Sequence, residues 1–415
     1  MKKFRIVMIA AMSVILVFGL AACSGGKASD SDSKTVEMQT DKDEAKYTKD
    51  MRQTIKDDTG LTLKYVTTTD VSAYQTNIQQ SLSTSSAPAL FSWWSGTQME
   101  ELVKNDLVVD LTDEWEKYYI PSGVNPDIAD SMTIDGKIYG APMNVIYNGI
   151  IYNKEIFDKY GLEEPKTFDD FLNICDTLVK KGVTPIGVGS TWQSFCWPQA
   201  LMGSMDPELY DELTEGKVKF TDDRVKTIFY ELIDMIQKGY FSDQEEDQGK
   251  DLANGKVAME FNATNVLEGF SDFDMKPGED IGMFVLPTAT TDQKPTIFYE
   301  VAPILVGKNS TQVADAKKIL RSYYSEDAQQ EYADASGMSA TTTTTFKNPL
   351  SQYMNECAND PDDYNLKLRY YEQFDPEVVN FSIDEYWKIF ANPTKKQVDE
   401  SLAAIQKELE KVEAE

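Results

Sequence analysis

Residues 136–189 read GKIYGAPMNVIYNGIIYNKEIFDKYGLEEPKTFDDFLNICDTLVKKGVTPIGVG, a passage in which strand, turn and helix signals follow one another without a gap. Pro165 precedes Thr167, whose hydroxyl oxygen can accept from the backbone N–H of Asp170 while the Asp170 carboxylate reaches back. This reciprocal capping box starts a helix. Phe168, Phe171, Leu172, Cys175, Leu178 and Val179 then recur at three- and four-residue spacing, which predicts one buried stripe. Lys180 and Lys181 complement the C-terminal end of the macrodipole, and Gly182 takes the left-handed cap. Thr184–Val188 reads as a short buried strand, so the passage predicts a helix-then-strand unit of an α/β domain.

Working towards the N-terminus, strands are expected at Val36–Met38, Leu61–Thr67 and Ala89–Trp94, with helices at Asp43–Asp58, Val71–Ser83 and from Gln98. Strands alternating with helices imply a mostly parallel sheet covered on both faces. In the other direction, Val225, Ile228, Phe229, Leu232, Met235 and Ile236 mark an amphipathic helix stopped by Gly239. Ser310–Gly337 holds two helices, the second capped by Ser325, and Thr341–Thr345 is a low-complexity loop. Val398, Leu402, Ile405, Leu409 and Val412 form the last apolar stripe, after Pro393 and Thr394.

Three cations, Lys2, Lys3 and Arg5, precede an apolar run from Ile6 to Leu20 that is short for a membrane span and reads as a secretory signal over residues 1–22. Leu20-Ala21-Ala22-Cys23 resembles a bacterial lipoprotein processing site that leaves Cys23 as the lipid-modified N-terminus, with residues 23–33 a flexible tether. Cys175, Cys196 and Cys357 remain, an odd number that sets no disulfide framework; a Cys196–Cys357 bridge stays open. The chain has 415 residues, enough for two domains, and a formal net charge of −29 that repels polyphosphates and makes nucleic acid a poor partner. It contains no histidine, which removes the commonest transition-metal ligand and the usual imidazole base. Neither a metal nor another cofactor is expected.

Tyr139-Gly140-Ala141-Pro142, then Tyr152-Asn153-Lys154-Glu155-Ile156-Phe157, then the helix start from Gly161 to Phe171 resemble, in order, a motif block of the extracellular solute-binding proteins (family 1 type) of bacterial carbohydrate ABC importers. Leu252–Met259 resembles a further motif, F-x-x-G-K-x-A-M. The resemblance covers almost all of the chain after residue 33. It implies a two-lobed, periplasmic-binding-protein-like (type II) α/β fold, each lobe a mostly parallel sheet flanked by helices, with the ligand in the cleft between lobes. The expected division is 34–148 plus 300–340 for the N-terminal lobe and 149–299 plus 341–415 for the C-terminal lobe. The implied function is capture of a neutral mono- or oligosaccharide by lobe closure and delivery to a membrane permease, by a monomeric, lipid-anchored carrier that is not an enzyme.

A sugar ring presents an apolar C–H face and a rim of hydroxyls, so its site needs flat rings beside amides or carboxylates. Thr191-Trp192-Gln193-Ser194-Phe195-Cys196-Trp197 interleaves these types after a strand, making Trp192 the leading candidate, with Gln193 and Trp197 beside it. Trp93 and Trp94 end the third strand; alternation sends one to the core and one to the cleft, and the resemblance favours Trp94. Tyr147, Asn148, Tyr299 and Glu300 sit where the resemblance places the crossings between lobes. Asp41 follows the first strand and could accept from a sugar hydroxyl or cap the next helix. After Met259 the family often has Gly-Ser-Trp where this chain has Ala263-Thr264-Asn265, so Asn265 is expected to hydrogen-bond where relatives stack. Two other functions stay open: a lipid-anchored glycoside hydrolase using two carboxylates, and a carrier of a cationic solute such as a polyamine. No Gly-x-Ser-x-Gly elbow supports a hydrolase triad.

Overall fold

The computed structural model describes residues 35–189, 191–244, 248–290 and 292–414, the side chains of 191, 192, 244 and 248 excepted. The expected signal, Cys23 and tether therefore lie outside the described residues. In chain order the strands are β1 (Thr35–Thr40), β2 (Thr62–Thr67), β3 (Leu90–Ser92), β4 (Thr133–Ile134), β5 (Lys137–Ile138) and β6 (Gly140–Asn153). They continue with β7 (Thr184–Val188), β8 (Phe241–Gln244), β9 (Val257–Ala263), β10 (Ile281–Phe284), β11 (Thr296–Val306) and β12 (Asn365–Leu368). Apart from the β4–β5 pair they join one curled sheet, ordered β2-β1-β3-β11-β6-β9-β7-β8, with β10 on β6 and β12 on β11.

Two long strands organise this sheet. Every residue of β6 is buried over 14 positions, a length of about 46 Å at ~3.3 Å per residue. From Gly140 to Tyr147 it pairs antiparallel with β11, and from Asn148 to Asn153 it pairs with β9 and β10. Strand β11 does the same in reverse, pairing with β12 over Thr296–Tyr299 and with β3 over Ile304–Val306. Its register on β6 shifts between Val301 and Pro303, where a proline has no N–H to give the ladder. Parallel pairing, expected for most of each sheet, holds between β1, β2 and β3 and between β7, β8 and β9. The central pair is antiparallel because a chain that crosses the molecule and returns must run both ways.

Two apolar cores lie on either side of this crossing. The first gathers Phe91, Trp115, Tyr119, Ile304, Tyr323 and Tyr324; the second gathers Phe171, Trp197, Tyr210, Phe229, Ile389 and Leu402. Helix Phe168–Lys180 shows why its sequence sits as it does. Thr167 Oγ1 accepts from Asp170 N at 3.1 Å and Asp170 Oδ2 from Thr167 N at 3.0 Å, completing the capping box. Its buried face is Phe168, Phe171, Ile174, Cys175 and Leu178; Val179 is exposed and Leu172 only partly covered, since at 100° per residue both fall on the flank of the stripe. All three remaining cysteines are buried free thiols, so no Cys196–Cys357 bridge forms.

The threonine run is not a loose loop. Thr341 and Thr344 are buried, their hydroxyls 3.0 Å apart, with Ser339 Oγ 2.7 Å from Thr344 Oγ1. Thr342 N donates to Gly123 O at 2.8 Å, tying the run to the first core. The following helix, Pro349–Ala358, brings Leu350, Met354 and Cys357 into that core, whereas the sequence division assigns it to the second lobe. Only from Tyr370 onward does the C-terminal segment join the second core.

Backbone approaches backbone closely at Gly307, next to β11, where a Cβ would lie 2.3 Å from the backbone oxygen of Pro88. Gly307→Ala is expected to lower stability in urea unfolding by about 1–3 kcal/mol, the usual range for overpacking. Gly269→Ala, whose Cβ would meet nothing within 4 Å, should leave the midpoint within experimental error.

Candidate functional site

The carboxyl ends of β1 and β3 carry Asp41 and the Trp93-Trp94 pair. Tyr74 fixes this edge by donating its hydroxyl to Ser92 O at 2.6 Å, and Ser92 Oγ donates to Asp41 Oδ1 at 3.0 Å. Asp41 is thus half-buried and held in the strand edge. Trp93 is buried, its indole N–H donating to the Gln98 carbonyl at 3.2 Å. Trp94 remains half-exposed, its ring edge-on to that of Trp93 at a centroid distance of 5.3 Å.

Facing Trp94 is a segment that sequence reasoning passed over, Arg369–Asn380. A cavity of about 230 Å³ lies between the two, lined on one side by Val71, Gln75, Trp94, Ser95 and Gln98 and on the other by Tyr371, Glu372, Phe374, Pro376 and Asn380. The walls come close around it: the Thr97 hydroxyl donates to Asp375 Oδ2 at 3.2 Å, and a Cβ on Gly96 would sit 3.0 Å from Glu372 O. The signal that could have found Arg369–Asn380 is the one applied to 191–197, because Tyr371, Glu372, Gln373, Phe374 and Asn380 also interleave rings with amides and carboxylates.

The floor carries charge. Arg369 Nη1 lies 2.7 Å from Glu300 Oε2, while its Nη2 and Nε reach Glu372 at 2.6 and 2.9 Å. Burial works to lower the Arg369 pKa, but the two carboxylates more than offset it and hold the guanidinium above its ordinary range. Burial pushes the Glu372 carboxyl up from its usual value, against the opposing pull of Arg369 and of nearby Lys42. Backbone pairing places the group: Arg369 N donates to Tyr299 O at 3.0 Å, directly after β12 has paired with β11.

The other sequence candidates divide by direction. Tyr147 and Tyr299 are register partners across β6 and β11 and are both buried. Tyr299 lines a separate cavity with Asp130 and Ser131, so the pair faces the back of the crossing. Alternation puts Glu300 and Asn148 on the opposite face, where Glu300 meets Arg369. Neither tyrosine is in the cleft lining, contrary to expectation. Trp197 is core, packed on Phe171, Phe241 and Phe261, because it lies inside helix Cys196–Met205, of which nearly every residue is buried. Trp93 is also core, as the inward member of its pair. Gln193 is buried with its amide oxygen accepting from Gly189 N at 2.8 Å, a contact that closes its own loop. Asn265 is exposed and lines a different cavity of about 490 Å³ with Tyr47, Phe346 and Lys347. The Trp192 side chain lies outside the described residues.

What the site can do follows from its composition. It offers a ring platform, side-chain amides and a carboxylate fixed by a guanidinium. Among the described residues no group of three or more acidic or cysteine side chains is arranged to hold a metal ion, and no helix is long and apolar enough to cross a membrane.

Comparisons with known proteins bear on the family and the fold. An uncharacterized ABC transporter extracellular-binding protein of Pyrococcus horikoshii is 33% identical over 215 residues, 48% of this chain and 47% of that protein. The matches span about half the length of the first two curated relatives. The multiple sugar-binding protein of Streptococcus mutans is 24% identical over 353 residues, 81% of each chain. In three dimensions the bacterial solute receptor AcbH, described as exclusive for b-D-galactopyranose, superposes with a TM-score of 0.77 over 91% of this chain and 98% of its own, at 16% identity. That likeness carries the two-lobed fold. The sequence pattern of the bacterial extracellular solute-binding proteins matches residues 41–330, well over half of the sequence, and the chain belongs to that family.

Proposed function

We propose that the protein is the substrate-binding component of an ABC importer and that it captures a neutral sugar in the cleft between Trp94 and Tyr371. The observation that carries this reading is the pairing of a half-exposed tryptophan with amides and a pinned carboxylate in one cavity between the two cores. An aromatic face suits the C–H face of a sugar ring, and amides and carboxylates suit its hydroxyls. The names of relatives that bind sugars support the class. A neutral ligand is favoured because the Arg369 guanidinium behind Glu372 is already engaged by Glu300 and Glu372.

On this reading the lobes hinge where β6 and β11 cross, at Tyr147–Asn148 and Tyr299–Glu300, with the first lobe drawn from residues before and after this crossing. The carrier works as an extracytoplasmic monomer anchored through a lipid on Cys23, with a membrane permease as its partner, and releases its sugar unchanged. A ligand that touches both walls shifts the open–closed balance by its differential affinity for the two states, as in the hinge closure of periplasmic binding proteins.

Calorimetric titration with neutral sugars should show binding, with the sugar recovered chemically intact; hydrolysis products would replace the carrier with an enzyme. Saturating sugar should reduce the radius of gyration in solution scattering, and an unchanged radius despite measured binding would remove hinge closure. Trp94→Ala should weaken binding by about tenfold to a hundredfold, or ~1–3 kcal/mol, with its melting temperature nearly unchanged. Trp93→Ala should instead lose about 3–5 kcal/mol of folding stability. In cells, Cys23→Ser should move the protein from the membrane fraction to the medium.

A further inference from the structure

Ser95 stands out in the cleft wall. It is 6% exposed, it lines the cavity between the lobes, and its Oγ has no hydrogen-bond partner among the described residues. Buried hydroxyls are almost always paired, and an unpaired one carries a desolvation penalty with nothing to offset it. A hydroxyl in that condition beside a cavity is matched to a polar group of whatever fills the cavity.

Its neighbours define that filler. Gln75 Nε2 donates to Gln98 Oε1 at 2.9 Å, which leaves the Gln75 carbonyl and an N–H of Gln98 as a complementary acceptor and donor. The Trp94 ring lies next to Ser95 in the same wall. Across the cavity, Glu372 receives Arg369 on both oxygens and keeps further lone pairs for a hydroxyl. The space between them, about 230 Å³, is smaller than the ~300–1,000 Å³ of cavities that enclose drug-sized ligands.

We propose that this cleft grips a single ring, a neutral polyhydroxylated molecule of hexose size, and that Ser95 Oγ is the contact that fixes the orientation of that ring on Trp94. The proposal rests on the sugar reading given above and sets the length and pose of the ligand. Units beyond the first ring project out of the cleft and add little.

The test has two arms. Wild-type protein is titrated calorimetrically with D-galactose, D-glucose, D-xylose and N-acetylglucosamine and with di- and trisaccharides ending in each. The best series should show affinities within about threefold across lengths; a tenfold or greater rise on adding a second ring, or no binding by any monosaccharide where an oligomer binds, overturns the single-ring grip. Ser95→Ala is then measured free and with the best monosaccharide. The free variant should melt at or above the wild-type temperature, since it loses a buried hydroxyl that has no partner, while affinity falls about three- to tenfold, the worth of one hydrogen bond. A lowered melting temperature or an unchanged affinity overturns the role given to Ser95. If no sugar of any length binds the wild type, the sugar reading itself falls; length-dependent binding removes only the single ring.

Discussion

The antiparallel pairing of β6 with β11 is the constraint on which the rest depends. Tyr147 opposite Tyr299 marks the point where both strands change partners, so one ladder belongs to both cores. Because side chains alternate along a strand, that ladder gives the molecule two faces at the crossing. The tyrosines close the back, where Tyr299 lines a separate cavity with Asp130 and Ser131. Glu300 opens on the other side and sets where Arg369, and through it Glu372, must stand. The candidate site is in this sense a consequence of strand register.

Local signals were the most legible in the sequence. The capping box at Thr167 and Asp170, the N-cap at Ser325 with Gly337 in the left-handed conformation, and the Thr394 cap on Gln397 N all form from residues within four positions of one another. Such motifs need little from the rest of the chain. Strand direction was less legible, because a composition of alternating strands and helices points to a parallel sheet and carries no mark of which strand returns across the molecule. The threonine run shows the same limit. Its composition reads as a low-complexity loop and says nothing of burial, yet Ser339, Thr341 and Thr344 satisfy one another beneath the surface, an arrangement visible only when the partners are known.

For the site, the sequence identified residue types better than it identified direction. Trp93 and Trp94 differ by one position and in exposure, one donating to Gln98 O within the core and the other lining the cavity, although their rings meet edge to face and both pack on Tyr74. Tyr147 and Tyr299 sit at the crossing but face its back. Trp197 and Gln193 share a promising segment and are consumed by packing and by loop closure respectively. Arg369–Asn380 went unread because its neighbour across the cavity lies nearly three hundred residues earlier in the chain, and aromatic-polar interleaving is too common to single out one segment without that neighbour.

The charged floor sharpens the relation between rigidity and binding. Burying a guanidinium with two carboxylates brings a desolvation penalty that their attraction need not exceed, so such a triad is weak evidence of stabilisation and better understood by the geometry it imposes. Glu300 belongs to β11, and Arg369 follows the strand paired to β11 and donates its own N–H to Tyr299 O. The triad is therefore tied to the crossing ladder, whatever angle the lobes adopt about it. Trp94 and Ser95 follow β3, which pairs with the other end of β11 over Ile304–Val306, and Trp94 packs on the first core. On the proposed reading, hinge motion about the crossing would move an aromatic wall against a carboxylate whose position is already set, and ligand selection would rest on how well one wall closes on the other.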